Sequence, residues 1–251
     1  MAPRDRFFHN LGYYTLLYLP LAGVAFYMTY FSAIGEQPVL AHVHFGVMVL
    51  WLGLSVVQPL LIRYDRLSMH RQLGRMSYVV MPLVVITGYL MLRSGAFREW
   101  NLLRDQVTNG TLLLSNQEVL NRVYDFALLG TPYLLWPALF YGLAMIHRGN
   151  MVFHSRYMLA AILTVTGPIV DRILFLPLGL TAVGPIPAET IAFLVVDGIL
   201  LMLAVYDHRQ GKTIKPVLVA LAIYLTGQIG YFLMQKSSAW YSLAEVFLQL
   251  D

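Results

Sequence analysis

His44, Met48, Trp51, Ser55 and Gln58 recur at steps of four, three, four and three residues. If the stretch is helical, that spacing keeps all five on one face. Tyr224, Gln228, Tyr231 and Gln235 repeat the rhythm near the carboxyl end, and His154, Met158, Val165, Pro168 and Arg172 repeat it in between. These residue types offer ligand chemistry. Imidazole and phenol groups hydrogen-bond a carbonyl or ligate a metal, a guanidinium stabilises negative charge, and indole and phenol rings stack on a flat ring. Three converging stripes would make a polar chamber lined by His44, Trp51, Gln58, Arg172, Tyr224, Gln228 and Tyr231, of a kind that takes a quinone or haem b. The same stripes also fit a plainer role, hydrogen bonds that tie one helix to the next.

Arg172 is the most costly of these residues. A charge deep in an apolar span costs at least about 3 kcal/mol on insertion scales, so a partner is expected. The candidate charge partners are Asp125, Asp171, Glu189 and Asp197, and the alternative to an ion pair is an anion or substrate anchor. Pro168, one turn before Arg172, frees the carbonyl of Thr164 and predicts a kink. His42 and His44 are two residues apart, about 200° around a helix, so only His44 joins the stripe. His70 and His154 each open a helix on the same side of the sheet of lipid, one hairpin apart. With Arg75 and Arg156 they form a second candidate, a haem or anion site on the cytoplasmic side.

Some chemistry is excluded. The chain has no cysteine, which removes disulfides, thiolate metal sites and thiol nucleophiles. HExxH, P-loop and GxSxG motifs are absent, as is HxxxH within an apolar stretch. The last apolar stretch holds no lysine between Lys215 and Lys236, at its two ends, so a retinal Schiff base has no place within it. No catalytic residue can be assigned, and whether the chain is an enzyme stays open.

The elements that must position these residues are long and apolar. Of 251 residues, 58% are hydrophobic and only 12% charged, against about 25% charged in a soluble domain. A bilayer core about 30 Å thick needs about 20 apolar residues as helix. Seven stretches qualify, 11–33, 40–62, 76–95, 123–146, 156–178, 188–206 and 215–235. All must be helical, because lipid offers no partner to an open backbone group. The expectation is an all-α polytopic membrane protein, a seven-transmembrane helical bundle forming one domain over 1–251, with the lipid bilayer as its main partner. Eleven of the seventeen basic residues fall in the amino-terminal segment (Arg4, Arg6) and in the turns carrying Arg63, Arg66, Arg71, Arg75, Arg148, Arg156, Arg209, Lys212 and Lys215. This asymmetry predicts a cytoplasmic N-terminus and an outside C-terminus. The net charge of +4 therefore reflects orientation, and no basic stripe points to nucleic acid. Segment 96–122 is expected as an outer loop with an interfacial helix within TLLLSNQEVLNRV, and 237–251 as a surface helix anchored by Trp240 and Tyr241.

The segment HVHFGVMVLWLGLSVVQPLLIRYDRLSMHRQLGRMSYV carries a His, a Trp, a Gln near the helix end and then HRxLGR opening the next span. With His154, Arg156 and Met158 in HSRYM, it resembles an uncharacterised family of predicted bacterial membrane proteins, a domain of unknown function. The resemblance covers roughly 40–175 and implies a helical membrane fold in a bacterial cytoplasmic membrane, without implying an activity. A remoter likeness to b561-type membrane cytochromes implies His ligands near both membrane faces. The leading functional expectation is an integral membrane protein that binds a small ligand or redox cofactor. A proton-coupled transporter, motivated by Arg172, Pro168 and Asp197, and a non-catalytic membrane subunit or assembly factor are the alternatives.

Overall fold

The computed structural model describes residues 6–250, and the chain is 82% helical. Arg4 and the Arg6 side chain, part of the orientation argument, lie outside what is described. Short helices α1 (Arg6–His9), α2 (Leu11–Leu16) and α3 (Tyr18–Tyr27) lead to a 3-10 stretch at Phe31–Glu36. The long helices follow: α4 (Val39–Arg63), α5 (Leu67–Thr108), α6 (Asn116–Ile146), α7 (Met151–Leu163) continued by α8 (Thr166–Phe175), α9 (Ala188–Arg209) and α10 (Lys215–Met234). A two-stranded hairpin, β1 (Ala182–Val183) and β2 (Ile186–Pro187), precedes α9, and α11 (Ser238–Leu248) closes the chain.

Among the described residues, six helices are long and apolar enough to cross a membrane, counting α7 and α8 as one, which makes this a multi-pass membrane protein. The first expected span, 11–33, is the exception. Its apolar helix runs over Leu11–Tyr27, and Ala33 leaves the helical region of backbone space at φ −137°. Seventeen residues rise about 25 Å, short of the bilayer core. The fifth span is divided where Pro168 predicts. The helix breaks at Thr164, whose carbonyl a proline four residues on cannot satisfy, and the Thr164 hydroxyl turns back to the Ala161 carbonyl at 2.8 Å.

Side-chain caps fix where several helices begin. Ser115 and Glu118 form a capping box at α6, Asn150 accepts from the Val152 and Phe153 amides at α7, and Ser237 accepts from the Trp240 amide at α11. Consecutive long helices alternate in direction. The turns at 64–66, 147–150 and 210–214 therefore share one end of the bundle, here the basic end, with the 3-10 stretch and the β-hairpin at the other. Gly211 makes the last of these turns in the left-handed region, at φ +65°.

Segment 96–122 is not a loop with an interfacial helix. Helix α5 has 42 residues and rises about 63 Å, twice the bilayer core. It runs on to Thr108, and α6 begins only eight residues later, so the two project beyond the apolar zone as an antiparallel hairpin. Ala96, Leu103, Val119 and Val123 are buried along this seam, with Trp100 and Val107 packed beside them. Arg98, Glu99, Arg104 and Asp105 dominate the local composition and mask that stripe in the sequence. The tail does form a helix. Trp240 of α11 is buried and its indole N–H donates to the Tyr124 carbonyl at 2.8 Å, and Arg93 donates to the Leu248 carbonyl at 2.7 Å. A cation on the last carbonyls of a helix satisfies groups that have no partner within it.

Candidate functional site

The three polar stripes do not enclose one central chamber. Tyr224, Gln228 and Tyr231 of α10 are buried and spent on neighbouring helices. Tyr224 donates to the Ala160 carbonyl at 2.8 Å, Gln228 Nε2 to Asp197 Oδ1 at 3.0 Å, and Tyr231 to Glu189 Oε1 at 3.3 Å. Between α6, α7, α8, α9 and α10 lies only about 190 Å³ of empty space, bounded by Tyr133, Trp136, Phe193, Tyr224 and Gln228. Trp136 and Phe140 fill the rest, each with its ring 4.7 Å from that of Tyr224. Large aromatic groups occupy the volume that the sequence leaves open for a ligand, which corrects the chamber expectation for these residues.

Gln58 belongs to a clamp at the basic end. With its amide nitrogen turned toward His70, it donates to the His70 carbonyl at 3.1 Å and accepts from the Gly74 amide at 2.9 Å. Those two groups close the first turns of α5. The Gln…HRxLG pattern is thus a fastening between α4 and α5, made of side chain on main chain. Trp51, two turns up the same face, is 1% exposed and stands edge-on to Tyr141 at 6.2 Å. Its indole N–H has no partner among the described residues.

The second candidate, at the basic end, comes together only in part. His154 lies close enough for its charge to be felt at His70. His154 Nδ1 donates to the Ala144 carbonyl at 2.9 Å. Arg75 is exposed, and Arg156 turns away to bind Asp207 in an ion pair through two hydrogen bonds. Arg156 is 3% exposed and Asp207 is fully buried. The Phe8 ring covers the guanidinium at 3.7 Å. The pair is therefore structural, and the anion-site expectation for Arg156 is overturned by a carboxylate already in place. Asp207 escapes the sequence reading, although its position is legible. Phe193, Val196, Leu200, Leu203 and Asp207 follow one another at helical spacing and are all buried, so a charged residue stands on an apolar stripe.

Arg172 and His44 both stand toward the opposite end. Arg172 of α8 is half-buried. It donates to the Pro168 carbonyl at 3.2 Å and lies 4.5 Å from the centre of the Phe26 ring. None of its four expected charge partners lies within ion-pair distance, because each has a neutral donor or a donor elsewhere. Asp125 accepts from the Lys236 amide and the Tyr241 hydroxyl, Asp171 from Tyr133, Glu189 from Tyr231, and Asp197 from Gln228. The Arg172 charge is felt at the His44 imidazole. Thr87 gives its own proton to the Leu83 carbonyl at 2.6 Å, so it accepts from His44 Nδ1–H at 2.9 Å. That fixes the tautomer and leaves His44 Nε2 as an acceptor. His42 points elsewhere, with Nδ1 at 2.8 Å from the Tyr30 hydroxyl. Helix α3 packs on α8 and α4 on α5, while α3 and α4 share few contacts. Just beyond α3, the Tyr30 ring stacks on that of Phe45 at 4.5 Å, so aromatic packing ties this part of the chain to α4.

Tyr133, which the sequence reading does not single out, completes this end. Its hydroxyl donates to Asp171 Oδ2 at 3.1 Å. Its ring lies across the bare face of Gly167, where a Cβ would stand 2.2 Å from the nearest ring carbon. Gly167→Ala is therefore expected to displace the Tyr133 ring, break its bond to Asp171 and cost about 1–3 kcal/mol, read as a lower midpoint of thermal unfolding in detergent. Comparison with protein-family models, with curated proteins and with solved structures finds no match for this chain.

Proposed function

We propose that this protein binds a small carbonyl-bearing ligand of the quinone class, held between His44 and Arg172, in a bacterial cytoplasmic membrane. One observation supports the reading, a half-buried guanidinium that makes no ion pair and whose charge reaches an imidazole with an acceptor nitrogen. A quinone or quinol head offers the matching set. Its carbonyl accepts from Arg172, its hydroxyl in the reduced form donates to His44 Nε2, and the Phe26 ring offers a face to stack on. Haem b fits less well, since His42 faces away from His44 and no second imidazole reaches the same level.

In this reading the chain crosses seven times, the α2–α3 segment and its 3-10 extension making the first passage. The N-terminus lies in the cytoplasm with the basic end, and α11 lies outside with the projecting α5–α6 hairpin. A proton-coupled carrier is the second reading. It is favoured by Asp171, Glu189 and Asp197, three carboxyl groups held only by neutral donors.

The test is solvent extraction of protein purified in mild detergent, with an absorption spectrum of the same sample. Co-purified quinone, or saturable binding of added decylubiquinone, is expected. If neither occurs, the quinone assignment fails, and a Soret band would move the site to haem.

A further inference from the structure

Helix α4 ends beside an open groove on the outside of the bundle. Val57, Leu60, Leu61, Tyr64 and Arg66 line it, and its volume is about 490 Å³, within the range of about 300–1,000 Å³ usual for ligand pockets. Leu60 is seated against α2, where a Cβ on Gly12 would stand 2.5 Å from Leu60 Cγ. Leu61 is half-buried, and Val57, Tyr64 and Arg66 are exposed.

The lining changes character along the helix. Val57, Leu60 and Leu61 are apolar, a phenol follows at Tyr64, and a guanidinium follows at Arg66 on the turn into α5. From Val57 to Tyr64 the helix rises about 10 Å, so the groove runs from hydrocarbon depth to the basic end of the bundle. Tyr64 is held in place, its hydroxyl 2.7 Å from that of Tyr13. Arg63 faces the amino-terminal helices. It donates to the His9 carbonyl at 3.3 Å and lies 4.9 Å from the centre of the Tyr13 ring, which leaves Arg66 as the cation of the groove. The turn carries Arg63 and Arg66 against one acid, Asp65, and the same end bears Arg71, Arg75, Arg148 and Arg209. An occupant must therefore be apolar along one part and negatively charged at the other.

We infer that this groove holds an anionic phospholipid, one acyl chain lying along Val57, Leu60 and Leu61 and the phosphate facing Arg66. A guanidinium presents a planar fork of N–H donors that matches a phosphate. Tyr64 stands between the two, where tyrosine is favoured at the boundary of hydrocarbon and headgroups. A neutral lipid lacks the charge, and a free anion lacks the chain. The site is separate from His44 and Arg172 and does not depend on the reading of that pair.

The experiment is native mass spectrometry of the delipidated full-length protein in detergent, titrated with dioleoyl phosphatidylglycerol or dioleoyl phosphatidylcholine. The dissociation constant of the first bound lipid is the readout. Phosphatidylglycerol is expected to bind about fivefold more tightly than phosphatidylcholine, the gain of one cation beside an anionic headgroup. Arg66→Gln should lose that preference and leave phosphatidylcholine binding unchanged. Val57→Trp fills the groove without altering charge and should weaken both lipids alike. Arg209→Gln removes the same charge at the same end, outside the groove, and should stay within about twofold of wild type. All three positions are exposed, so the fold tolerates the changes. Equal constants for the two lipids, or equal losses in Arg66→Gln and Arg209→Gln, overturn the assignment to Arg66. Unchanged binding in Val57→Trp overturns the groove as the place where the chain lies. Displacement of phosphatidylglycerol by inorganic phosphate makes a free anion the occupant and overturns the lipid.

Discussion

Replacing Asp207 by Ala is expected to destabilise the protein by about 3–5 kcal/mol, because it removes the buried carboxylate that binds the Arg156 guanidinium through two hydrogen bonds. Both partners are nearly inaccessible, and the Phe8 ring seals the guanidinium from above. In thermal unfolding followed in detergent, the midpoint should fall by on the order of 10 °C. The double substitution Arg156→Met with Asp207→Leu is expected to recover most of the loss or exceed it, since a buried ion pair often contributes no more than apolar groups of similar volume. The contrast between single and double substitutions is the diagnostic. If Asp207→Ala costs less than about 1 kcal/mol, water reaches the pair and the basic end is not sealed.

This pair also explains how the chain is fastened at that end. Arg156 on α7 and Asp207 on α9 hold together helices that are distant in sequence, and α1 lies over both. The Phe7 ring is 5.8 Å from that of Tyr206, so the aromatic pair at the amino end packs beside the ion pair as well as above it. The Gln58 clamp does the same work between α4 and α5. Both fastenings lie away from the proposed ligand site, at the other end of the bundle.

The helical class was legible because it depends on composition summed over long windows. Helix faces were legible too. His44, Trp51, Gln58, Tyr224, Gln228 and Tyr231 all point inward, as their spacing requires, while Gln235 lies exposed past the end of α10. What spacing could not supply was the identity of the partner across the gap. Gln58 meets the main chain of α5, and Gln228 meets Asp197, because the packing of neighbouring helices decides which groups come within reach. Arg172 and Arg156 illustrate the limit. Charge alone marks Arg172 as the residue in need of a carboxylate, yet the carboxylate went to Arg156, through an aspartate on an apolar stripe. Segment 96–122 failed for a different reason. Its charged outer face dominated the composition, and the buried seam of Ala96, Leu103, Val119 and Val123 is visible only at helical spacing. Tyr133 gave no signal of its own, because the space it fills exists through the missing side chain of Gly167 on another helix.

Arg172→Met is expected to weaken quinone binding by roughly ten- to a hundredfold, the equivalent of about 1.5–3 kcal/mol for a hydrogen bond to a charged group. The same substitution should leave the unfolding midpoint unchanged or raise it. Arg172 has no ion-pair partner to orphan, and Met fills the space beside Phe26 while removing a costly charge. His44→Leu should lose affinity for the quinol more than for the quinone, since only the reduced form donates to Nε2. A guanidinium kept for structure predicts the reverse pattern, a large loss of stability with binding untouched. The two arginines therefore separate by one pair of measurements. Arg156 should matter to the melt and not to the ligand, and Arg172 to the ligand and not to the melt. If Arg172→Met lowers the midpoint as far as Asp207→Ala does, Arg172 is a packing element, and the His44–Arg172 site loses the observation on which it stands.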